Sequence, residues 1–261
     1  MPAPEDYQVA VPSYQRPELC ASATLPLLAE RGVDRERITV FVADEHEART
    51  YRRALNPHHY GEIVVAEPGM RAVRNFINRH YPDGTLLVQA DDDLREVYRK
   101  HHGNQRQPLP DLHELFTMMF RRMTAARLSL WGIYPVDNPF FMKHRIEVGL
   151  HYIVGALWGV HNRHAPHCQV SLDDKEDFER SLRHFEASGA VMRIADVGIV
   201  TRYYTQPGGM QVTRSEDRVT ASAVELHHRY PTLTRLKRRK SGHMEVELLN
   251  PARQLAGGRH A

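Results

Sequence analysis

The sequence predicts an α/β fold: a mainly parallel central sheet flanked by helices, in a single domain. The main observation is that, over the first hundred residues, short β-rich runs alternate with segments of helical periodicity. A second is composition, because 41% apolar and 26% charged side chains are ordinary for a chain that buries a sizeable core. This composition excludes a disordered, collagen-like or coiled-coil protein.

The predicted strands and helices of the first hundred residues follow one another in regular order. Strands are expected at Tyr7–Val11, Ile38–Val42, Ile63–Val65 and Leu86–Ala90. Helices are expected between them at Pro17–Arg31, Glu45–Leu55 and Met70–Tyr81. Because βαβ units make parallel sheets, which bind ligands beyond the carboxyl ends of their strands, functional groups should gather at one sheet edge.

The second half of the chain continues with helical and apolar segments. Helices are expected at Asp111–Arg127 and Asp174–Ser188, the second ending at Gly189. Apolar runs follow at Leu128–Tyr134 and Tyr152–Val160, and the helix Asp174–Ser188 leads into the segment Val191–Tyr204. A turn-rich segment over residues 135–145 separates the first two runs.

The sequence argues against a membrane or secreted protein. The longest strongly apolar stretch, Tyr152–Val160, is far shorter than the ~20 residues of a membrane helix. Glu5 and Asp6 lie where a signal peptide would be basic. Cys20 and Cys168 form no disulfide framework by their spacing. We therefore expect a cytoplasmic protein without a membrane partner.

Charge is distributed unevenly along the chain. Residues 1–100 carry 13 basic and 16 acidic side chains, net −3, and the remainder carries 22 and 16, net +6. We expect a catalytic domain over residues 1–225 and a basic C-terminal extension over residues 226–261. From residue 226 to 244 there is no acidic residue. This stretch is either a solvated charge run or a phosphate-contacting surface, with candidate residues Lys237, Arg238, Arg239 and Lys240.

Three adjacent carboxylates, Asp91, Asp92 and Asp93, directly follow the strand Leu86–Ala90. Their mutual repulsion indicates a divalent cation, Mn²⁺ or Mg²⁺, which takes one or two carboxylates and completes its shell with water and phosphate. Side chains alternate along an extended chain, so Asp91 and Asp93 are the expected metal ligands and Asp92 an expected nucleotide contact. The alternative is a solvated acidic turn.

A second acidic cluster lies at the start of the helix Asp174–Ser188. Acids at a helix N-terminus stabilise the helix by themselves, so capping is one interpretation. The other is that Glu176 or Asp177 acts as the general base of a cleft that holds metal and phosphate.

Two further segments suit a phosphate. Arg71, Arg74 and Asn75 open a helix after a Pro-Gly turn, where free backbone amides and arginines bind anions, although surface helices often carry arginines. Gly208 and Gly209, followed by Arg214, form either a loop that closes over a donor or a simple surface turn.

A histidine-rich run is not expected to bind metal. His161, His164 and His167, followed by Cys168, lie on a segment broken by proline, and their spacing does not converge on a tetrahedral ion. With 17 histidines in the chain, such runs arise by chance.

Taken together, these motifs resemble the GT-A glycosyltransferases over about residues 7–205. The segment Val11–Tyr14 with Arg16 resembles the end of their first strand, the Asp91–Asp93 triplet their metal motif, and Glu176–Asp177 the pair that supplies the base of inverting members. The resemblance implies a UDP-sugar donor, with Asp44 contacting the uracil. The implied donor-binding residues are Pro12, Ser13, Tyr14, Arg16, Asp44, Arg71, Arg74, Asn75, Asp92, Gly208, Gly209 and Arg214.

Within that superfamily the chain most resembles the TET-associated glycosyltransferases of bacteriophages. The resemblance is carried by Trp131–Phe141, by Lys175–Arg180, and by Tyr203 and Tyr204 with the following Pro-Gly-Gly. It implies transfer of a hexose to 5-hydroxymethylcytosine in phage DNA, with Asp177 as base, in the cytoplasm of an infected bacterium. Any prior oxidation of the base would be done by another protein.

A DNA acceptor needs phosphate contacts and stacking groups, because a base inside a duplex must be extruded to reach a cleft. The candidate acceptor residues are Tyr134, Asn138, Phe140 and Phe141, although the two phenylalanines could instead pack in the core. Other hypotheses remain open: a protein or polysaccharide acceptor, a nuclease using the Asp triplet, or a non-catalytic DNA-binding module. A nucleotidyltransferase is disfavoured, since no glycine-rich loop follows the first strand.

Overall fold

A computed structural model describes residues 2–201, 215–239 and 242–249. The strands are β1 (Tyr7–Pro12), β2 (Ile38–Val42), β3 (Glu62–Val65), β4 (Leu86–Ala90), β5 (Leu94–Lys100), β6 (Arg106–Pro108), β7 (Leu130–Ile133), β8 (Ile146–Gly149), β9 (Leu157–His161), β10 (Val191–Ile194), β11 (Val197–Thr201), β12 (Thr234–Arg238) and β13 (Met244–Leu248). The α-helices are α1 (Pro17–Ser22), α2 (Thr24–Glu30), α3 (Glu45–Ala54), α4 (Met70–His80), α5 (Leu112–Ala125), α6 (Glu176–Ser188) and α7 (Glu216–Arg229).

An eight-stranded sheet with the order β3-β2-β1-β4-β9-β7-β10-β8 forms the centre of the molecule. Strands β3, β2, β1 and β4 pair in parallel, β9 runs antiparallel to both β4 and β7, and β8 runs antiparallel to β10. Since β7 and β10 are parallel, six of the eight strands point the same way. The carboxyl ends of β1, β4 and β7 therefore lie at one edge of the sheet.

Helices cover both faces of this sheet because side chains alternate along its strands. On one face Val9 and Val88 belong to a large core that includes the aromatic residues Tyr7, Phe116 and Trp131. On the other face a second cluster forms around Ala10, Phe41, Leu87, Ile77 and Trp158. These strands are buried on both faces, as expected for a largely parallel sheet.

The predicted helix Pro17–Arg31 is divided into α1 and α2. The first residue after the break, Thr24, contacts the turn that carries the three aspartates. The chain turns at Ala23, and the Thr24 hydroxyl donates to the backbone carbonyl of Asp91 at 2.6 Å. The same hydroxyl accepts from the backbone N–H of Leu94 at 2.9 Å. One threonine thus fixes both ends of the turn that carries the three aspartates.

The segment Val191–Tyr204, which the structure describes up to residue 201, contains two strands. Its first part, β10, belongs to the central sheet, whereas β11 pairs with β5 in a three-stranded sheet of order β11-β5-β6. Strand β5 begins directly after Asp93 and was not predicted. The turn bearing the aspartates therefore connects the two sheets.

The C-terminal portion contains a helix and a hairpin, which pack against α6. Apolar contacts join Leu226, Tyr230 and Val246 to Leu150 and Leu182. The predicted boundary between residues 225 and 226 falls inside α7.

No helix in the described part of the chain combines the length and apolar character needed to cross a membrane.

Candidate active site

The three aspartates after β4 differ in exposure, because Asp92 and Asp93 are buried and Asp91 is half-buried at the sheet edge. Asp92 is fully buried, and its carboxylate accepts a 2.5 Å hydrogen bond from the Ser13 hydroxyl. The Arg16 guanidinium lies 2.6 Å from the other oxygen of Asp92. Asp92, Ser13 and Arg16 are thus bound to one another, and the carboxylate of Asp92 faces the protein interior rather than solvent.

The local electrostatics of the triplet favour a cation. Burial raises the pKa of Asp92 to about 7, although Arg16 and Ser13 oppose the shift. Burial and the neighbouring Asp91 carboxylate raise the pKa of Asp93 to about 6. Asp93 is buried, Asp91 is half-buried beside the Arg74 guanidinium, and both offer only oxygen ligands. Such a pair fits Mn²⁺ or Mg²⁺, which retain water and phosphate oxygens in the remaining positions.

Arg74 on α4 connects the triplet to the rest of the site. Its buried guanidinium donates to Asp91 Oδ1 and Gln89 Oε1, each at 2.8 Å, and to the Gly155 carbonyl at 3.1 Å. Gly155 precedes β9, the strand that pairs with β4. The arginine therefore spans the end of one strand and the beginning of its neighbour.

The first turn of α6 packs against this same glycine. A Cβ atom on Gly155 would lie 3.2 Å from Glu176 Oε1, a tight contact, and 3.7 Å from the Asp177 side chain, an ordinary one, so both acids lie directly against this glycine. Glu176 is buried, and burial together with the Asp177 carboxylate raises its pKa. One turn later, the Arg180 guanidinium lies 3.7 Å from the ring centre of Trp158.

Asp177 is more exposed than Glu176, and its carboxylate is held in place. Asp177 Oδ2 accepts a 2.5 Å hydrogen bond from the Tyr152 hydroxyl, and Oδ1 accepts from the backbone N–H of Phe178 at 2.9 Å. The Tyr152 ring stacks on Phe178 with the centroids 4.2 Å apart. Sequence reasoning missed Tyr152 as a site residue because it begins an apolar run.

The other expected donor-binding residues of the β1, α3 and α4 regions take diverse positions. Pro12 ends β1, and Tyr14, two residues later, is half-buried. Asp44 is exposed and caps α3 by accepting from the backbone N–H of Glu47.

Two expected donor-binding residues of α4 contact the segment that leads to α6. Asn75 uses its amide group on both the N–H and the carbonyl of Val170. Arg71 is half exposed and donates to the Ser171 carbonyl at 3.3 Å, close to Asp173. Asn75 therefore holds the segment in place, whereas the Arg71 side chain stays accessible.

The segment after β7 carries the expected acceptor residues and begins at the same sheet edge as the aspartates. Phe140 and Phe141 are 67% and 54% exposed, so the alternative that they pack in the core is wrong. Their rings meet edge to face, 5.1 Å apart, and Asn138 caps the short helical turn that carries them. Tyr134 lies beneath the Arg193 guanidinium, which is 5.2 Å from its ring centre.

The basic C-terminal residues meet acidic partners that lie just beyond the basic stretch. In the β12–β13 hairpin Lys237 lies opposite Glu245, and Arg239 approaches Glu245 at 3.7 Å. Arg238 donates to the Gly242 carbonyl. The positive charge of this hairpin is therefore partly neutralised. Gly208, Gly209, Arg214, Lys240 and the tyrosines at 203 and 204 lie outside the described residues.

Comparison with known proteins supports the fold. No protein-family model matches the chain, and no curated protein matches it. Among solved structures, S. aureus TarS 1-349 in complex with UDP-GlcNAc is 14% identical, has a TM-score of 0.53, and is matched over 85% of this chain and 66% of that one.

The S. aureus TarS structure, also 14% identical, has a TM-score of 0.50 over 85% of this chain and 40% of that one. The present chain thus spans less than two thirds of the length of each. These likenesses confirm the predicted fold class, a GT-A-type α/β architecture with a mainly parallel central sheet.

The ion pair between half-buried Arg16 and fully buried Asp92 should stabilise the fold. Arg16→Met leaves a buried carboxylate without its cation, and we expect a loss of about 3 kcal/mol in the free energy of unfolding. The double variant Arg16→Met/Asp92→Asn removes the unpaired charge and should recover most of that loss. Urea denaturation measures both.

Arg49→Met, a change at an exposed arginine of α3, is the matched control for this pair. Equal stabilities of Arg16→Met and Arg49→Met would contradict a stabilising role for the buried pair.

Proposed function

We propose that this chain is a glycosyltransferase that moves a hexose from a UDP-sugar to a hydroxyl group with inversion at the anomeric carbon. The carrying observation is the continuous set of contacts from Asp91 through Arg74 to Gly155, against which Glu176 and Asp177 pack. A pair of carboxylates suited to a metal diphosphate thus lies close to a candidate general base. That combination is what displacement of a diphosphate by a hydroxyl requires.

In the proposed step Asp177 accepts the proton of the acceptor hydroxyl. The hydroxyl oxygen forms a bond to the anomeric carbon from the face opposite the diphosphate, while the bond from that carbon to the diphosphate oxygen breaks and its electron pair leaves with UDP. Tyr152 fixes the orientation of the Asp177 carboxylate, which retains lone pairs for the proton. Glu176 is too buried to contact a large acceptor and shapes the charge of the site instead.

Asp91 and Asp93 would hold Mn²⁺ or Mg²⁺, which when bound neutralises the charge of the departing diphosphate. Arg71 is proposed to bind the diphosphate oxygens, because its guanidinium is exposed to solvent. Ser13 and Arg16 would have a positioning role. They bind Asp92 and thereby fix the turn on which Asp91 and Asp93 lie. Asp44 and Tyr14 are the proposed contacts to the uracil.

For the acceptor, we propose 5-hydroxymethylcytosine in DNA. Support comes from the segment 134–145, where the exposed rings of Phe140 and Phe141 offer stacking surfaces and the exposed Lys143 follows two residues later in the sequence. The segment follows β7, whose carboxyl end shares the sheet edge with Asp91. The C-terminal hairpin gives weaker support, because acidic residues neutralise part of its charge.

The acceptor is tested by incubating the chain with hydroxymethylcytosine DNA, manganese and a panel of UDP-sugars, followed by mass analysis of the nucleosides. We expect one hexose on hydroxymethylcytosine and none on the nucleosides of unmodified DNA. Hydrolysis of a UDP-sugar without modified nucleoside would overturn the DNA acceptor but retain the donor, and would favour a protein or polysaccharide acceptor. DNA cleavage without any nucleotide sugar would indicate a nuclease.

Asp177→Asn should lower the rate of transfer at least about 100-fold, because an amide cannot take the proton of the acceptor. Donor affinity, measured by calorimetry, should stay within about twofold. The matched control is Glu186→Gln, which removes an exposed carboxylate from the same helix. Normal turnover by Asp177→Asn would exclude Asp177 as the base.

The double variant Asp91→Ala/Asp93→Ala should lose the manganese-dependent part of donor binding, because it removes both proposed metal ligands. Calorimetric titration with a UDP-sugar, with and without manganese, measures that part directly. Glu96→Ala, a change at a nearby half-buried acid on β5, serves as control. Unchanged manganese dependence in the double variant would place the metal elsewhere.

A further inference from the structure

Three soft metal-binding side chains converge far along the chain from the aspartates. His167 and Cys168 lie in a short helical turn, Pro166–Cys168, and His184 lies in the second half of α6. The ligand atoms that they offer all lie within 4.8 Å of one another. His167 and Cys168 belong to the histidine-rich run that, by its spacing alone, is not expected to bind metal. The third member, His184, comes from α6, a different element.

The buried member of the cluster has a fixed orientation. His184 is almost fully buried, and its Nδ1 atom lies 2.7 Å from the Ser129 hydroxyl. When Nδ1–H donates to that hydroxyl, Nε2 carries the free lone pair. A metal-bound histidine usually has such a hydrogen bond on its other ring nitrogen. The His167 ring meets the His184 ring edge to face, with centroids 5.1 Å apart.

The donor set selects the class of metal. One thiolate and two imidazoles suit zinc, whereas Mg²⁺ and Ca²⁺ require oxygen ligands. In a tetrahedral zinc site the ligand atoms are ~3.5 Å apart, given Zn–N and Zn–S bonds of about 2.1 and 2.3 Å. His167 and Cys168 are only half-buried, so rotation of their side chains can close the remaining gap.

The surroundings offer room for a further ligand. Cys168 and His184 both line a small, mostly apolar cavity of about 20 Å³, to which Asn162 and Arg180 contribute polar groups. This volume accommodates one water molecule. A water molecule can therefore complete the four-coordinate shell that three protein ligands begin.

We propose that His167, Cys168 and His184 bind one zinc ion, with a water molecule as fourth ligand. The ion would join the segment that follows β9 to α6, the helix that begins with Glu176 and Asp177. Its role is to hold that helix in position, and it is separate from the oxygen-ligand site at Asp91 and Asp93. The proposal does not depend on the proposed function.

The test is zinc and cobalt binding by the full chain, stripped of metal and held in excess Mg²⁺ so that the aspartate site is saturated. We expect one equivalent of zinc by elemental analysis, and a cobalt spectrum with the absorption bands of a tetrahedral, thiolate-ligated ion. Cys168→Ser and His167→Ala should each weaken zinc binding at least about tenfold, and Cys168→Ser should also remove the thiolate-to-cobalt band. Ser129→Ala should weaken it about tenfold through the orientation of His184.

The control is His228→Ala, an exposed histidine of α7, which should bind zinc as the unchanged chain does. The unchanged chain alone can overturn the proposal. It would do so if it showed no saturable zinc binding or no thiolate-to-cobalt band. Equal affinity of Cys168→Ser and the unchanged chain would overturn it as well. Circular dichroism confirms that each variant is folded.

Discussion

The buried guanidinium of Arg74 is the contact on which the geometry of the candidate active site depends. A buried cation needs compensating partners, and the two terminal nitrogens of Arg74 donate to Gln89 and Asp91 at the end of β4 and to the carbonyl of Gly155 before β9. These two strands are antiparallel neighbours, so the end of one meets the beginning of the other. The first turn of α6 packs on Gly155, and Arg74 thereby relates the candidate base to the candidate metal site.

Three adjacent aspartates can exist at this position because the fold separates their environments. Asp92 is fully buried and bound to Ser13 and Arg16, Asp93 is also buried, and Asp91 is half-buried beside Arg74. The Thr24 hydroxyl fixes the backbone on both sides of the turn. The cost of burying Asp92 is thus offset by a cation and a hydroxyl.

The basic residues of the C-terminal hairpin are partly paired with acidic residues, which the stretch without acids did not indicate. The stretch without acidic residues ends just before Glu245 and Glu247, and the hairpin places these acids opposite Lys237 and Arg235. Glu245 also pairs with Lys175, the residue that precedes α6. Part of the basic charge therefore holds the hairpin together and onto α6. The aromatic segment after β7 is thus the stronger candidate for the proposed acceptor surface.

The sequence alone determined the parallel strands, the aspartate triplet at a strand end and the acidic start of α6, because alternation, helical periodicity and turn residues are local signals. It did not give the break before Thr24, the strand β5 or the role of Tyr152. It also missed His184, which joins a cluster whose other members lie elsewhere along the chain. Only the tertiary structure decided these points, because each rests on contacts between segments that the sheet and its helices bring together.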